Sequence, residues 1–145
     1  MKKIFYFALM TFVMIGMSSC SKDKDLTGTK WVGQFTETDN GLTMTADVTV
    51  EFTTETAGEM TVMFVMTDEL RELFAALGMT DEEIAEMMSA DNSTVDFTYT
   101  YDGEGKGTMT STDEDGETTS IDFTIDDDKM TITEEGHSVV LTKQK

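Results

Sequence analysis

The sequence predicts a mainly β protein, an eight-stranded antiparallel up-and-down barrel with a helical hairpin inserted between strands 3 and 4. Three observations lead there. Residues 42–52, Leu-Thr-Met-Thr-Ala-Asp-Val-Thr-Val-Glu-Phe, alternate apolar and polar side chains, so one face of that strand is buried and the other wet. Across residues 67–88 the apolar spacing changes from two to about 3.6, the period of a helix. From Thr94 onward, short acidic and Gly-containing turns separate five further runs, and with the first three they make eight, the number that closes a small barrel.

Residues 1–19 read as an export signal peptide. Lys2 and Lys3 precede an apolar run over residues 4–17, shorter than the ~20 residues a bilayer-spanning helix needs. A retained transmembrane helix is the alternative, and either way the body is exported. The segment Met17-Ser18-Ser19-Cys20 resembles the lipobox of bacterial lipoproteins, with Met17 where leucine is usual. That resemblance implies a diacylglycerol on the Cys20 thiol, a mature N-terminus at Cys20, and acyl chains such as palmitate as the membrane anchor. Ser21-Lys22-Asp23-Lys24-Asp25 is similar to the acidic signal that sends some Gram-negative lipoproteins to the outer face of the outer membrane. The expected location is therefore the outer membrane, lipid-anchored and surface-exposed. Residues 20–25 serve as lipidated N-terminus and tether, and residues 26–145 as the barrel domain.

Gly28-Thr29-Lys30-Trp31 opens the first strand, with Trp31, Gly33 and Phe35 on one face. Asp39-Asn40-Gly41 supplies a tight hairpin turn into the alternating second strand. After Thr56-Ala57-Gly58, the inward set of the third strand is Met60, Val62, Phe64 and Met66. Thr67 then caps a helix whose Asp68 and Glu69 suit its positive end, whose Leu70, Leu73, Phe74 and Leu77 share a face, and which stops at Gly78. Thr80 and Glu83 form a capping box for a second helix with Ile84, Met87 and Met88 apolar. Neither helix can join a sheet, so the pair is expected over one barrel end or one sheet face, as plug or lid.

Residues 79–88 also resemble the helix before a calcium loop in calmodulin-type EF-hands. The loop itself is missing, because Ser93 and Val95 occupy ligand positions counted from Asp91, and Asp96 stands where the turn glycine belongs. The remaining strands carry Val95, Phe97, Tyr99 and Tyr101, then Lys106 to Ser111 with Met109, then Ile121, Phe123 and Ile125, then Met130 and Ile132, then Ser138 to Thr142.

Composition narrows the chemistry. The leader holds two of the ten basic residues and none of the twenty-nine acidic ones, so from Cys20 onward eight basic residues face twenty-nine acidic, a formal charge of −21. Phosphate-backbone binding is excluded by such a balance, so no nucleic acid partner is expected. The single cysteine allows no disulfide within the chain, and an acylated thiol can neither attack nor ligate. His137 falls in an expected turn beside Ser138 with no orienting partner, which reads as a solvated residue. The clusters Asp113-Glu114-Asp115 with Glu117, and Asp126 to Asp128, could reach a calcium ion, but the spacing is that of wet hairpin turns. No residue set identifies a reaction; enzymatic activity, a metal and a cofactor are not expected.

A glycine closely followed by tryptophan on the first strand, Gly28 and Trp31, resembles the opening of lipocalin-type barrels, with one residue more than the usual Gly-x-Trp. The rhythm Tyr-Thr-Tyr-Asp-Gly-x-Gly-Lys-Gly-Thr over residues 99–108, then Ile-Asp-Phe-Thr-Ile and Met-Thr-Ile-Thr, is similar to lipocalin-like domains of small bacterial lipoproteins. The likeness covers most of residues 26–143. It implies an indole packed across one barrel end. The expected inward residues Trp31, Phe35, Met44, Met60, Phe64, Met66, Phe97, Tyr99, Tyr101, Met109, Phe123 and Met130 are then the candidate contacts for a small apolar or amphipathic ligand. An eight-stranded barrel either holds one small ligand or is packed solid, and both readings stand at this point. In the second, the acidic exterior or the helical hairpin would dock onto another surface protein or a cationic target.

Overall fold

The structure, a computed structural model, describes residues 25–39, 41–134 and 136–145. The expected signal peptide, Cys20 and most of the tether lie outside the described residues, as does Asn40 of the first turn. Eight strands follow in order: β1 Lys30–Asp39, β2 Leu42–Phe52, β3 Ala57–Val65, β4 Ser93–Tyr101, β5 Lys106–Thr112, β6 Thr118–Asp126, β7 Lys129–Glu134 and β8 His137–Lys143. Two helices, α1 Asp68–Ala76 and α2 Asp81–Asp91, sit between β3 and β4. Every strand pairs antiparallel with its chain neighbours, and β1 pairs with β8, so the sheet is a closed barrel without edges.

The two-residue period decides which side chains enter the barrel. Phe52 pairs with Gly58, Gly58 with Phe97, Tyr99 with Met109, Phe123 with Ile132 and Met130 with Leu141, so apolar positions of neighbouring strands fall in register on one side. The other side carries threonine rows that touch across strands: Thr36 with Thr45, Thr38 with Thr43, Thr61 with Thr94 and Thr110 with Ser120, at 3.1 to 3.4 Å between hydroxyls. β-Branched hydroxyl residues favour extended backbone and face water at little cost, which suits this wall.

The barrel has two unlike ends. At one, where β1 begins and β8 ends, Trp31 closes the interior at 1 % exposure. Its indole Nε1 donates to Thr29 Oγ1 at 3.0 Å, Thr29 Oγ1 donates to the Leu26 carbonyl at 2.6 Å, and Leu26 is itself buried. Lys143 Nζ lies 5.7 Å from the indole centroid on the same rim. Behind Trp31, Phe52 meets Tyr99 edge-on at 4.6 Å between centroids and Phe97 at 5.6 Å, and Tyr99 donates its hydroxyl to the Thr54 carbonyl at 2.9 Å. The hairpin caps the other end. Thr67 and Thr80 are its N-caps, the Thr80 and Glu83 box is complete, and Gly78 at φ 85° ends α1.

Local details depart from the sequence reading. The first strand starts at Lys30, after a turn at Gly28, and Met66 lies one residue beyond the end of β3, because the chain leaves the sheet there to reach the Thr67 cap. His137 begins β8, opposite Glu134, instead of lying in the turn. On α1, Leu70 is buried and Phe74 half-buried, but Leu73 and Leu77 remain 42 % and 70 % exposed, since α1 meets the barrel along only part of the face that periodicity assigned to it.

Candidate functional site

Exposure sorts the twelve interior residues into two groups. Trp31, Phe97, Tyr99, Met109, Phe123 and Met130 belong to the buried core of the closed end. Trp31, Phe52, Phe123, Met109, Met130, Leu141 and Val50 expose 2 % of their surface or less, so the interior around them is tightly packed. Phe35, Met60, Phe64, Met66 and Tyr101 are half-buried, and Met44 is 38 % exposed. Of these six, all but Tyr101 lie on β1, β2, β3 and the segment leading to α1. Met44, Phe64 and Met66 lie toward the hairpin end, Phe35 and Met60 farther down the barrel, and Tyr101 at the closed-end terminus of β4.

The interior lining changes character toward that end. On the inward register Met44 pairs with Glu37, Val62 with Ser93, Ser111 with Thr119 and Glu134 with His137, where the closed end pairs mostly apolar residues, Trp31 with Lys143 being an exception. Glu37 and His137 are exposed on this register, so water reaches this end. The helices settle against its β2–β3 side, with α1 on β2 and α2 on β3. Asn92, just past α2, accepts from the Phe64 amide at 2.9 Å and pins the hairpin to the strand.

Between hairpin and barrel lies a groove of about 300 Å³ lined by Phe64, Met66, Arg71, Asp81, Ile84, Ala85 and Met88. Ile84 forms its buried floor, and Met66, Met88 and Phe64 its half-buried walls. Arg71, the chain's one arginine, reaches it from α1 and makes no ion pair with a described residue. Such a site combines deformable apolar walls with a charged rim, at the small end of the ~300–1,000 Å³ range of ligand pockets. Sequence reasoning named Phe64 and Met66 but placed them inside a barrel; it missed Arg71, Asp81 and Ala85. The change of period at Thr67 was the signal, because a hairpin inserted at a barrel end must create a seam with it.

A second, larger concavity of about 520 Å³ lies toward the closed end, at the β4, β5 and β6 wall around Tyr101, Asp102, Lys106, Asp122 and an edge of Phe123. The Tyr101 hydroxyl is held above its ordinary pKa by burial and then by the nearby Asp102 carboxylate. Burial also raises the Asp102 carboxyl, but backbone amides from Lys106 and Glu104 outweigh it and hold the group below the usual carboxylate range. Asp102 is therefore committed to its turn. The same holds for Asp113, which accepts from the amides of Asp115 and Glu117 at 3.0 and 2.8 Å. Among the described residues no three His, Cys, Asp or Glu side chains converge on a common metal position.

Comparison with protein families, with curated proteins and with solved structures returns no match in any of the three.

Proposed function

We propose that this chain is a lipid-anchored, surface-exposed, non-enzymatic binding module of lipocalin-like architecture, and that it seats a small apolar or amphipathic ligand at the hairpin end instead of deep in the barrel. The observation that carries the reading is the packing gradient: zero to 2 % exposure around Met109, Phe123 and Met130, against half-buried Phe64, Met66 and Met88 beneath the helices. The solid half supplies rigidity. Methionine walls at the other end supply adaptability, because an unbranched thioether repacks around differently shaped guests.

The anchor fits this polarity. β1 starts at the closed end, so a lipid on Cys20 holds that end toward the membrane and presents the hairpin outward. The eleven residues of β2 rise about 3.3 Å each along a tilted strand and put the hairpin end roughly 25 Å beyond the closed one.

The test is a titration with the uncharged apolar fluorophore N-phenyl-1-naphthylamine, beside mass spectrometry of small molecules that co-purify from the native host. Met66→Gln with Met88→Gln is expected to weaken binding at least about tenfold while leaving the unfolding midpoint nearly unchanged. Binding that ignores both substitutions, or no binding and no co-purified molecule, rejects the reading.

A further inference from the structure

We infer that the hairpin end is the receiving surface for a cationic amphipathic helix, an inference that rests on the reading of this end as the binding end and names its partner. Apolar exposure is concentrated there. Of the large apolar side chains that stand exposed among the described residues, Met44, Met63, Leu73 and Leu77 belong to β2, β3 or the stretch from α1 to its C-cap, and only Val140 lies elsewhere. Leu73 is 42 % and Leu77 70 % exposed although they share a face with buried Leu70, too much for residues of a finished core, while Met63, 51 % exposed, adds an apolar side chain on the outer wall of β3.

Methionine follows the same distribution. Among the nine methionines of the described residues, Met109 and Met130 fill the closed end, and the other seven lie on β2, on β3, at its exit, between the helices or on α2. A methionine-rich, partly open surface suits a helix laid into a groove, where the guest's residues at i, i+3, i+4 and i+7 are the anchors.

Charge selects the kind of helix. Around the groove α1 and α2 expose Asp68, Glu69, Glu72, Asp81, Glu82, Glu83 and Glu86, with Arg71 as their single cation. Exposed Leu73 on α1 and Leu77 at its C-cap, set among these carboxylates beside the methionine-walled groove, complement a helix with leucine-like residues on one face and lysine or arginine flanking it. The charge of −21 from Cys20 onward raises the local concentration of such a partner before contact. A phospholipid surface is the poorer match, since anionic headgroups would meet the same carboxylates.

The experiment titrates the lipid-free protein, starting at residue 21, with a fluorescent helical peptide of about 18 residues built from Lys and Leu at helical spacing. A scrambled peptide of equal composition and a Glu/Leu counterpart serve as controls, at about 0.15 M salt, where charges are screened beyond ~8 Å. The amphipathic cationic peptide is expected to bind with Kd on the order of 10 μM and the scrambled one at least about tenfold more weakly. Leu73→Gln with Leu77→Gln, and separately Glu69→Gln with Glu72→Gln, should each weaken it about tenfold, whereas Glu104→Gln with Asp128→Asn at the closed end should change it less than about twofold. Equal binding of the scrambled peptide, equal sensitivity to the closed-end charges, or preference for the acidic peptide overturns the inference. So does Leu77-dependent sedimentation with phosphatidylcholine vesicles, which would assign the face to lipid. Retained N-phenyl-1-naphthylamine binding without peptide binding defeats the partner and spares the proposed function; loss of both defeats the two together.

Discussion

Gly58 on β3 lies directly beneath the ring of its register partner on β4, Phe97, and a methyl group added there would come within 2.8 Å of Phe97 Cε2. Gly107 stands in the same relation to its partner Phe123, whose Cε1 would be 2.6 Å away. Each of these two aromatic rings thus occupies the volume that a side chain on the facing strand would need, and the closed end fits its five buried aromatic residues because two of its positions carry no side chain. Gly58→Ala and Gly107→Ala are each expected to cost about 1–3 kcal/mol by overpacking, read as a fall in the urea midpoint. A loss under about 0.5 kcal/mol at both sites would show that the rings have room to move.

The same gradient predicts unequal costs for chemically identical substitutions. Met130 is fully buried and Met44 is 38 % exposed. Met130→Ala is expected to lose about 2–5 kcal/mol, while Met44→Ala stays within about 0.5–1 kcal/mol, because a truncated side chain at the open end leaves no sealed cavity. Parallel urea titrations decide it. Similar costs at the two positions would mean that the hairpin end is as tightly packed as the other.

Most of the fold was legible in the chain. Eight strands, their order and the two helices follow from alternation, turn residues and caps, since a wet outer wall and an apolar interior force a two-residue period at every step. Thr80 and Glu83 announced α2, and the cap appears as read. What stayed hidden is long-range. Alternation places Met66 and Met130 on the same inward face, and only the assembled barrel separates a residue at an open rim from one with no exposed surface. The exposure of Leu73 and Leu77 was likewise beyond periodicity, which reports a helix's apolar face but not how much of it finds a partner. Arg71 carried no motif at all; its position at the groove depends on how the hairpin leans against β3.

Turn carboxylates tie stability to pH. Asp102 Oδ1 accepts from the amides of Glu104 at 2.7 Å and Lys106 at 2.9 Å, and its native pKa lies below the usual carboxylate value despite some desolvation. With the folded pKa depressed, its contribution is fully present above the unfolded value and disappears as pH falls through the native one. Asp102→Asn keeps an acceptor but removes the charge, so it should lower the urea midpoint at pH 7 and bring it closer to wild type near pH 3. Asp102→Ala removes the acceptor too and is expected to cost on the order of 1 kcal/mol at both pH values. An Asn variant offset equally at the two pH values would mean that the charge contributes nothing.

Attachment at the closed end makes a topological prediction. Leu26 is buried against the same core as Trp31, so the chain leaves the barrel on the side opposite the hairpin, and the six residues from Cys20 to Asp25 reach at most about 18 Å. A lipid on Cys20 therefore keeps the Asp127 turn close to the membrane and holds Leu77 away from it. Cys20→Ser should move the protein from the detergent-rich to the aqueous phase in phase partitioning, because several acyl chains at about 0.8 kcal/mol per methylene are then absent. In otherwise native cells, Leu77→Cys should react with a membrane-impermeant maleimide several times faster than Asp127→Cys, both turning on exposed positions. Unchanged partitioning of the serine variant would remove the anchor from the account. Faster labelling at residue 127 would turn the barrel over and direct the methionine-lined end at the lipid.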